Sequence, residues 1–366
     1  MLKNLKVVIL HDWLTGFRGG ERVLEVFCEL FPDAPIYTLI HEKGSVPSSI
    51  ENRKIVSSFL NHIPGVYKHY RKFLPIFPFA AEYLNIVENA DLVLSSSHCV
   101  IKGVHKPIGS KHVSYIHSPM RYIYDQFDTY FGKDSSLVQR VGAHVCRPFL
   151  QTWDKMSNQN VDYLISNSNF VGERIKHYYN LRPTTIYPFV DTKDFVSVRD
   201  KLNKEDYYLM VSAFAPNKKV DLAIQTFNQL NKKLIIIGSG QQEAYLKSIA
   251  GPNIKFLGNV SRQEVVNHMI SAKGFIFPGV EDFGITPLES LASGTPVIAF
   301  QKGGVLETLN SNVAEFFQEQ SVDSLRNAIL SFEEKSFNKN DLFSRADDFS
   351  KEIFKNNILN FIHSIF

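Results

Sequence analysis

Apolar residues along the chain gather in short unbroken runs, and amphipathic stretches with glycine, proline and serine turns separate the runs. In the first half the runs are Leu5–Leu10, Ala34–Ile40, Asp91–Ser95, His112–Ile116 and Val161–Ser166. In the second half they are Tyr207–Phe214, Lys233–Gly240, Ile254–Val260, Gly274–Val280 and Thr295–Phe300. Runs that are apolar throughout, with no strict alternation, read as strands covered on both faces of a parallel sheet. Between them Val23, Leu24, Phe27, Leu30 and Phe31 keep helical spacing over about Glu21–Phe31, and Asn169–Tyr179 does the same. Strand alternating with helix, twice over, predicts two doubly wound α/β domains. The expected boundaries are 1–188 and 189–344, with the joint near Tyr187–Asp194. From Ser344 to the end one helix is expected, with Phe349, Ile353, Phe354 and Leu359 on its apolar side.

Composition narrows the class. A length of 366 residues suits about two domains at ~150 each. Forty basic against 37 acidic residues leave a formal net charge of +3, which makes no case for a nucleic-acid partner. Cys28, Cys99 and Cys146 share no Cys-x-x-Cys spacing and read as reduced core thiols in a reducing compartment. The opening MLKNLKVVIL is too short in apolar residues for a leader or a spanning helix of ~20 residues, so a cytoplasmic place is expected. The segment Pro64–Leu84 interleaves Lys68, His69, Arg71 and Lys72 with Tyr67, Tyr70, Phe73, Phe77 and Phe79. That composition suits peripheral contact with the inner face of a membrane. It equally suits an acceptor cleft or core packing, and Pro75 and Pro78 break any long helix there.

The chemistry concentrates in Phe275–Phe300, FIFPGVEDFGITPLESLASGTPVIAF. Thr286-Pro287 reads as an N-cap followed by proline at the first helical position. Glu281 then lies in the loop at a strand's carboxyl end and Glu289 in the first turn of the next helix, where open α/β sheets bind ligands. Glu289 also fits a capping box with Thr286, whereas Glu281 has no capping task. Gly19-Gly20, between a strand and a helix, suits close approach of a diphosphate, or is an ordinary tight turn. Lys218 and Lys219 precede a helix, where acids are the favoured residues, so a bound anion or plain solvation must accommodate them. His117 closes the apolar strand His112–Ile116 and faces outward from its carboxyl end; His98, His105 and His112 read as structural. His11 and Asp12 end the first strand similarly and are acceptor-side candidates with Arg121. No Asp-x-Asp and no His/Cys cluster of metal-ligand spacing occurs.

Glu281-x7-Glu289, within EDFGITPLESLASGTPVIAF and followed by GGVLET at Gly303–Thr308, resembles the signature of family 4 retaining glycosyltransferases. The wording is similar to that of bacterial GDP-mannose-type mannosyltransferases of polysaccharide and O-antigen assembly. The resemblance implies the GT-B fold: two Rossmann-like domains facing across a cleft, with a C-terminal helix at about 345–366 crossing back to the first. It implies transfer of a hexose, mannose from GDP-mannose first among them, to a lipid-linked or surface-polysaccharide acceptor, with neither metal nor cofactor. RGGER resembles the loop facing the donor diphosphate, shared with Lys218 and Lys219. The resemblance further assigns His117 and Glu281 to catalysis, Glu289 to the ribose, and Glu281 with Phe283-Gly284-Ile285 to the donor sugar. Where the family carries an arginine five positions before Lys218, this chain has Ala213. A UDP-sugar transferase, a noncatalytic sugar-nucleotide-binding partner of another transferase, and an epimerase or phosphorylase on the same fold are the alternative readings.

Overall fold

The hydrophobic runs become two parallel sheets in the computed structural model, which describes residues 5–132, 136–199 and 201–366. The first sheet contains β1 (Val7–Leu14), β2 (Ile36–His41), β3 (Ile55–Ser57), β4 (Leu92–Ser97), β5 (Lys111–Ile116), β6 (Tyr163–Ser166) and β7 (Thr184–Thr185). Its spatial order is β3-β2-β1-β4-β5-β6-β7, with every pairing parallel. The second contains β8 (Tyr208–Val211), β9 (Leu234–Ile237), β10 (Ile254–Gly258), β11 (Gly274–Phe277), β12 (Val297–Phe300) and β13 (Ala314–Phe317), in the order β10-β9-β8-β11-β12-β13. In each sheet the order of strand addition therefore reverses once, between β1 and β4 in one and between β8 and β11 in the other. Such switch points are where the strand ends splay and ligands enter.

The chain divides into two compact units, one running to Ile186 and taking in Asn357–Phe366, the other Tyr187–Asn356. In the second unit alternate residues of one strand feed opposite cores, which is why its strands are apolar without interruption. Phe275 and Phe277 pack on one face with Leu209, Val297 and Leu288. Ile276 points to the other, with Met210, Ile298 and Phe227.

Three expectations need correction. The first strand does not end at Leu10 but runs on to Leu14, because the polar side chains of His11 and Asp12 find partners inside and are fully buried. The final helix is two helices, Lys339–Asp347 and Lys351–Ile365. The break arises where the Phe349 carbonyl accepts the Val190 N–H at 2.9 Å and the Phe349 ring packs against Tyr187 and Phe283. Cys28 and Cys99 are buried, but Cys146 is only partly so.

His112 behaves as the structural histidine expected of it. Its Nδ1 meets the Asn160 carbonyl at 2.8 Å and its Nε2 the Ser95 hydroxyl at 2.8 Å, and burial pushes its pKa from 6.5 down to about 4. The unfolded chain then binds a proton that the folded one refuses. Stability from this group is present above pH 6.5 and is lost as pH falls towards 4, by about 2 kcal/mol at pH 5. Urea melts between pH 7.5 and 5 should show that slope, and His112→Asn should flatten it.

Candidate functional site

In the first unit the switch point gathers five polar side chains. Parallel register sets His11 of β1 beside Ser96 of β4. The Ser96 hydroxyl lies 3.1 Å from His11 Nδ1 and 2.8 Å from His117 Nε2, so one oxygen joins two imidazoles. His11 Nε2 is buried without a hydrogen-bond partner, 3.8 Å from Glu21 Oε1. Burial raises the pKa of Glu21, but the His11 ring and its charge outweigh that and hold the carboxyl down to about 2. Burial, reinforced by His98 and His11, pushes His117 down to about 3, so its ring is neutral at physiological pH. The helix Gly19–Leu30 begins at Gly19, earlier than the expected Glu21, and brings Gly20 against this group. A Cβ on Gly20 would lie 3.6 Å from His11 Cε1 and 3.7 Å from His117 Nε2. Gly20 therefore places the mouth of this helix within contact distance of both rings.

Asp12 has a different task. One of its oxygens accepts the backbone N–H groups of His98 and Cys99 at 2.7 and 2.9 Å, and the other those of Val100 and Ile101 at 2.8 and 2.9 Å. With four amides on a fully buried carboxylate and His98 Nδ1 3.3 Å from its Oδ2, Asp12 fixes the turn after β4 and is taken up by its own chain. That turn carries His98, whose ring centroid is 5.9 Å from that of His11 and 6.3 Å from that of His117. His98, read as structural, thus belongs to the cluster. The Arg121 Nε donates to the Ser118 hydroxyl at 3.2 Å.

The second unit builds its site from backbone proximity. Glu281 and Lys218, on the loops that follow β11 and β8, form an ion pair with side chains 25% and 20% exposed. Tight glycine contacts hold these loops together. A Cβ on Gly279 would come within 2.8 Å of the Asn217 carbonyl oxygen, and one on Gly304 within 2.1 Å of that of Asp282. The Gly304 N–H also donates to the Glu281 carbonyl at 2.9 Å. GGVLET therefore holds the loop carrying Glu281. Lys219 has φ 55°, a left-handed turn into the helix Val220–Leu230.

The helix after Glu281 begins at Ile285, capped by Gly284 with φ 90°, so Thr286 is not the N-cap and Pro287 is not its first residue. Glycine reaches that conformation without cost, and proline is still tolerated in the first turn, where the N–H has no partner. Glu289 accordingly lies in the second turn, only 5% exposed, and its Oε1 meets Arg262 Nη1 at 2.8 Å. The capping-box reading of Glu289 fails with this geometry. Arg262 also pairs with Asp194 at 3.0 Å and lies over the Phe195 ring, and its buried Nη2 has no partner. In the sequence Ser261-Arg-Gln-Glu264 is a capping box, which is present, and that local signal leaves Arg262 unmarked. The Phe283 ring is 3% exposed against Tyr187 and Phe349, so this turn can offer a ligand its backbone but not that ring.

Glu289→Gln is expected to remove the Arg262 pair and lower stability by about 1–3 kcal/mol. If Glu289 also holds a ribose, nucleotide affinity falls about tenfold beyond what Arg262→Met produces. Calorimetry of both variants beside their melting curves separates the two.

Among the described residues no three His, Cys, Asp or Glu side chains come together as a metal cradle, and no helix is long and apolar enough to cross a membrane. The chain is 30% identical over 199 residues to a GDP-mannose-dependent monoacylated alpha-(1-6)-phosphatidylinositol monomannoside mannosyltransferase of Corynebacterium glutamicum, covering 46% of this chain and 52% of that protein. It is 28% identical over 156 residues to the O-antigen chain mannosyltransferase RfbU of Salmonella typhimurium, covering 39% and 43%. It thus spans about half the length of these curated relatives. The solved sucrose-phosphate synthase of Thermosynechococcus elongatus superposes with a TM-score of 0.75 at 16% identity, over 98% of this chain and 99% of that one, a likeness of fold. The family described as Glycosyl transferases group 1 matches residues 191–351, spanning β8 to β13 and both glutamates. The chain therefore has the GT-B architecture and carries, over residues 191–351, a domain of the glycosyl transferases group 1 family.

Proposed function

We propose that the protein is a retaining hexosyltransferase that moves mannose from GDP-mannose to a lipid-linked or surface-polysaccharide acceptor without a metal. The observation that carries this reading is the Lys218–Glu281 pair at the switch point of the second sheet. Departure of a nucleoside diphosphate from an anomeric carbon builds negative charge on phosphate and positive charge on the ring. A lysine and a carboxylate held together answer both. Lys218 and Lys219 neutralise the leaving diphosphate, an electrostatic task that needs no metal. Glu281 and the backbone of Gly284 and Ile285 hold the sugar hydroxyls. Glu289 holds the ribose, and the unpartnered Arg262 Nη2 gives a further donor beside it. Ala213 in place of an arginine leaves the two lysines as the nearby cations. His117, neutral, donates to or accepts from the sugar, and the departing phosphate oxygen takes the acceptor's proton in a front-face substitution. The names of the mannosyltransferase relatives support mannose as the sugar. Peripheral contact with a membrane through Pro64–Leu84 belongs to the same proposal.

The test is a calorimetric and thermal-shift screen of the chain against GDP-mannose, other GDP-sugars, UDP-sugars and free nucleotides, with and without EDTA. Selective binding of GDP-mannose that EDTA leaves unchanged is the expected outcome. A folded protein that binds none of them would overturn the transferase reading.

A further inference from the structure

The first unit contains a cavity of ≈ 710 Å³ that the donor chemistry leaves unused. Its wall is apolar, from Leu74, Phe77, Phe127, Phe131 and Leu150. Arg71 and Lys72 line it as well, no Asp or Glu does, and neither cation forms an ion pair among the described residues. Trp13 and His98 line it too, their rings edge-on with centroids 4.4 Å apart, and the His98 ring neighbours His117. A hollow of this size falls in the ~300–1,000 Å³ range of sites for organic ligands, and mostly apolar walls with a few convergent polar groups are their usual character. Filled with water alone it would wet its aromatic lining.

The surrounding surface has the same character. On the helix Leu137–Met156, Gly142, Ala143, Cys146 and Leu150 face the cavity. On its outer side, Val141, Val145 and Phe149 are 55%, 73% and 44% exposed, and Val138, which lines the cavity, is 83% exposed. The exposed ring of Phe79 stacks on Phe149 at 5.9 Å. Apolar lining, apolar surroundings and two unneutralised cations together describe the complement of an anionic amphiphile.

We propose that this cavity binds the hydrocarbon chain of a lipid phosphate, with Arg71 and Lys72 on the phosphate, and that this lipid is the anchor of the acceptor. The inference rests on the sugar-transfer reading above and specifies the acceptor within it. His98 then stands between the seated chain and the His117 cluster, so the polar end of the lipid is held next to the residues assigned to the transfer.

Cys146 supplies the measurement, because Cys28 and Cys99 are 1% and 2% exposed and leave it the accessible thiol of the three. Its alkylation by a maleimide, in the full chain, is followed with farnesyl phosphate as the probe. Farnesyl phosphate should slow labelling at least tenfold and saturably, farnesol should act only at far higher concentration, and inorganic phosphate should not act. Arg71→Glu with Lys72→Glu should weaken protection by farnesyl phosphate about tenfold and leave farnesol unaffected. Ala143→Trp, which fills the cavity, should abolish the thermal shift produced by farnesyl phosphate. Absence of protection overturns the inference. If GDP-mannose still stabilises the protein, that failure is confined to the lipid site; if it does not, the transfer reading falls as well. Equal binding of wild type and Ala143→Trp to phosphatidylglycerol vesicles, without protection by farnesyl phosphate, would show a surface contact with membrane instead and overturn the inference too.

Discussion

Glu281→Gln is expected to lower kcat by about 10²–10³-fold, the scale on which removal of one electrostatic contact to a transition state is felt. Binding of the free nucleoside diphosphate should instead hold or strengthen. The carboxylate is paired with Lys218, and an incoming diphosphate must compete with it for that cation. Neutralising Glu281 removes the competitor and a like charge beside the phosphates. Lys218→Ala should do the opposite, weakening diphosphate binding and turnover together. The double variant should lose less than the sum of the two, since each single change also disturbs the partner. Equal losses of affinity and turnover in Glu281→Gln would mean that the residue only binds the ground state. Titration calorimetry with GDP beside steady-state rates distinguishes the outcomes.

How much of this could be read from the chain depends on the range of the interaction. Glu281 and Lys218 were accessible because each follows an uninterrupted apolar run, and a parallel sheet places such residues at strand ends. Gly303 and Gly304 were recognised as part of a motif, but their purpose, a close approach to the backbone of Glu281 and Asp282, needs coordinates. Arg262 was missed because its partner Glu289 is 27 residues away and its own neighbours already satisfied a local rule, the Ser261 capping box. Ser96 was missed for a related reason. Three successive serines, Ser95–Ser97, at the end of a buried strand were a signal, since buried hydroxyls require partners. Only the registers of β1 and of β5 on β4 say that the partners are His11 and His117. The register of β1 on β4 also explains why β1 continues through His11 and Asp12, past the end of its apolar run at Leu10. The short edge strands β3 and β7 carry too few residues for periodicity to register.

His117→Ala should lower kcat by about 10²-fold while GDP-mannose affinity changes little, for a ring that acts on the transition state. The variant leaves the Ser96 hydroxyl without one of its two imidazole partners, so part of any loss is structural. Ser96→Ala separates these contributions. It keeps the His117 ring but frees its Nε2, which the serine oxygen now holds at 2.8 Å. A serine hydroxyl carries one proton, so it donates to at most one of the rings at His11 Nδ1 and His117 Nε2, and its loss ends the fixing of the His117 tautomer. If the tautomer matters to the reaction, Ser96→Ala should slow turnover about tenfold with melting temperature nearly unchanged. The pH profile adds a further distinction. Since His117 is held down to about 3, the wild-type rate should show no inflection from this ring between pH 5 and 8. In Ser96→Ala the ring remains enclosed by His98 and His11, so the profile should stay flat while its height falls. An inflection near pH 6.5 appearing in Ser96→Ala would mean that the serine, rather than burial, keeps His117 neutral.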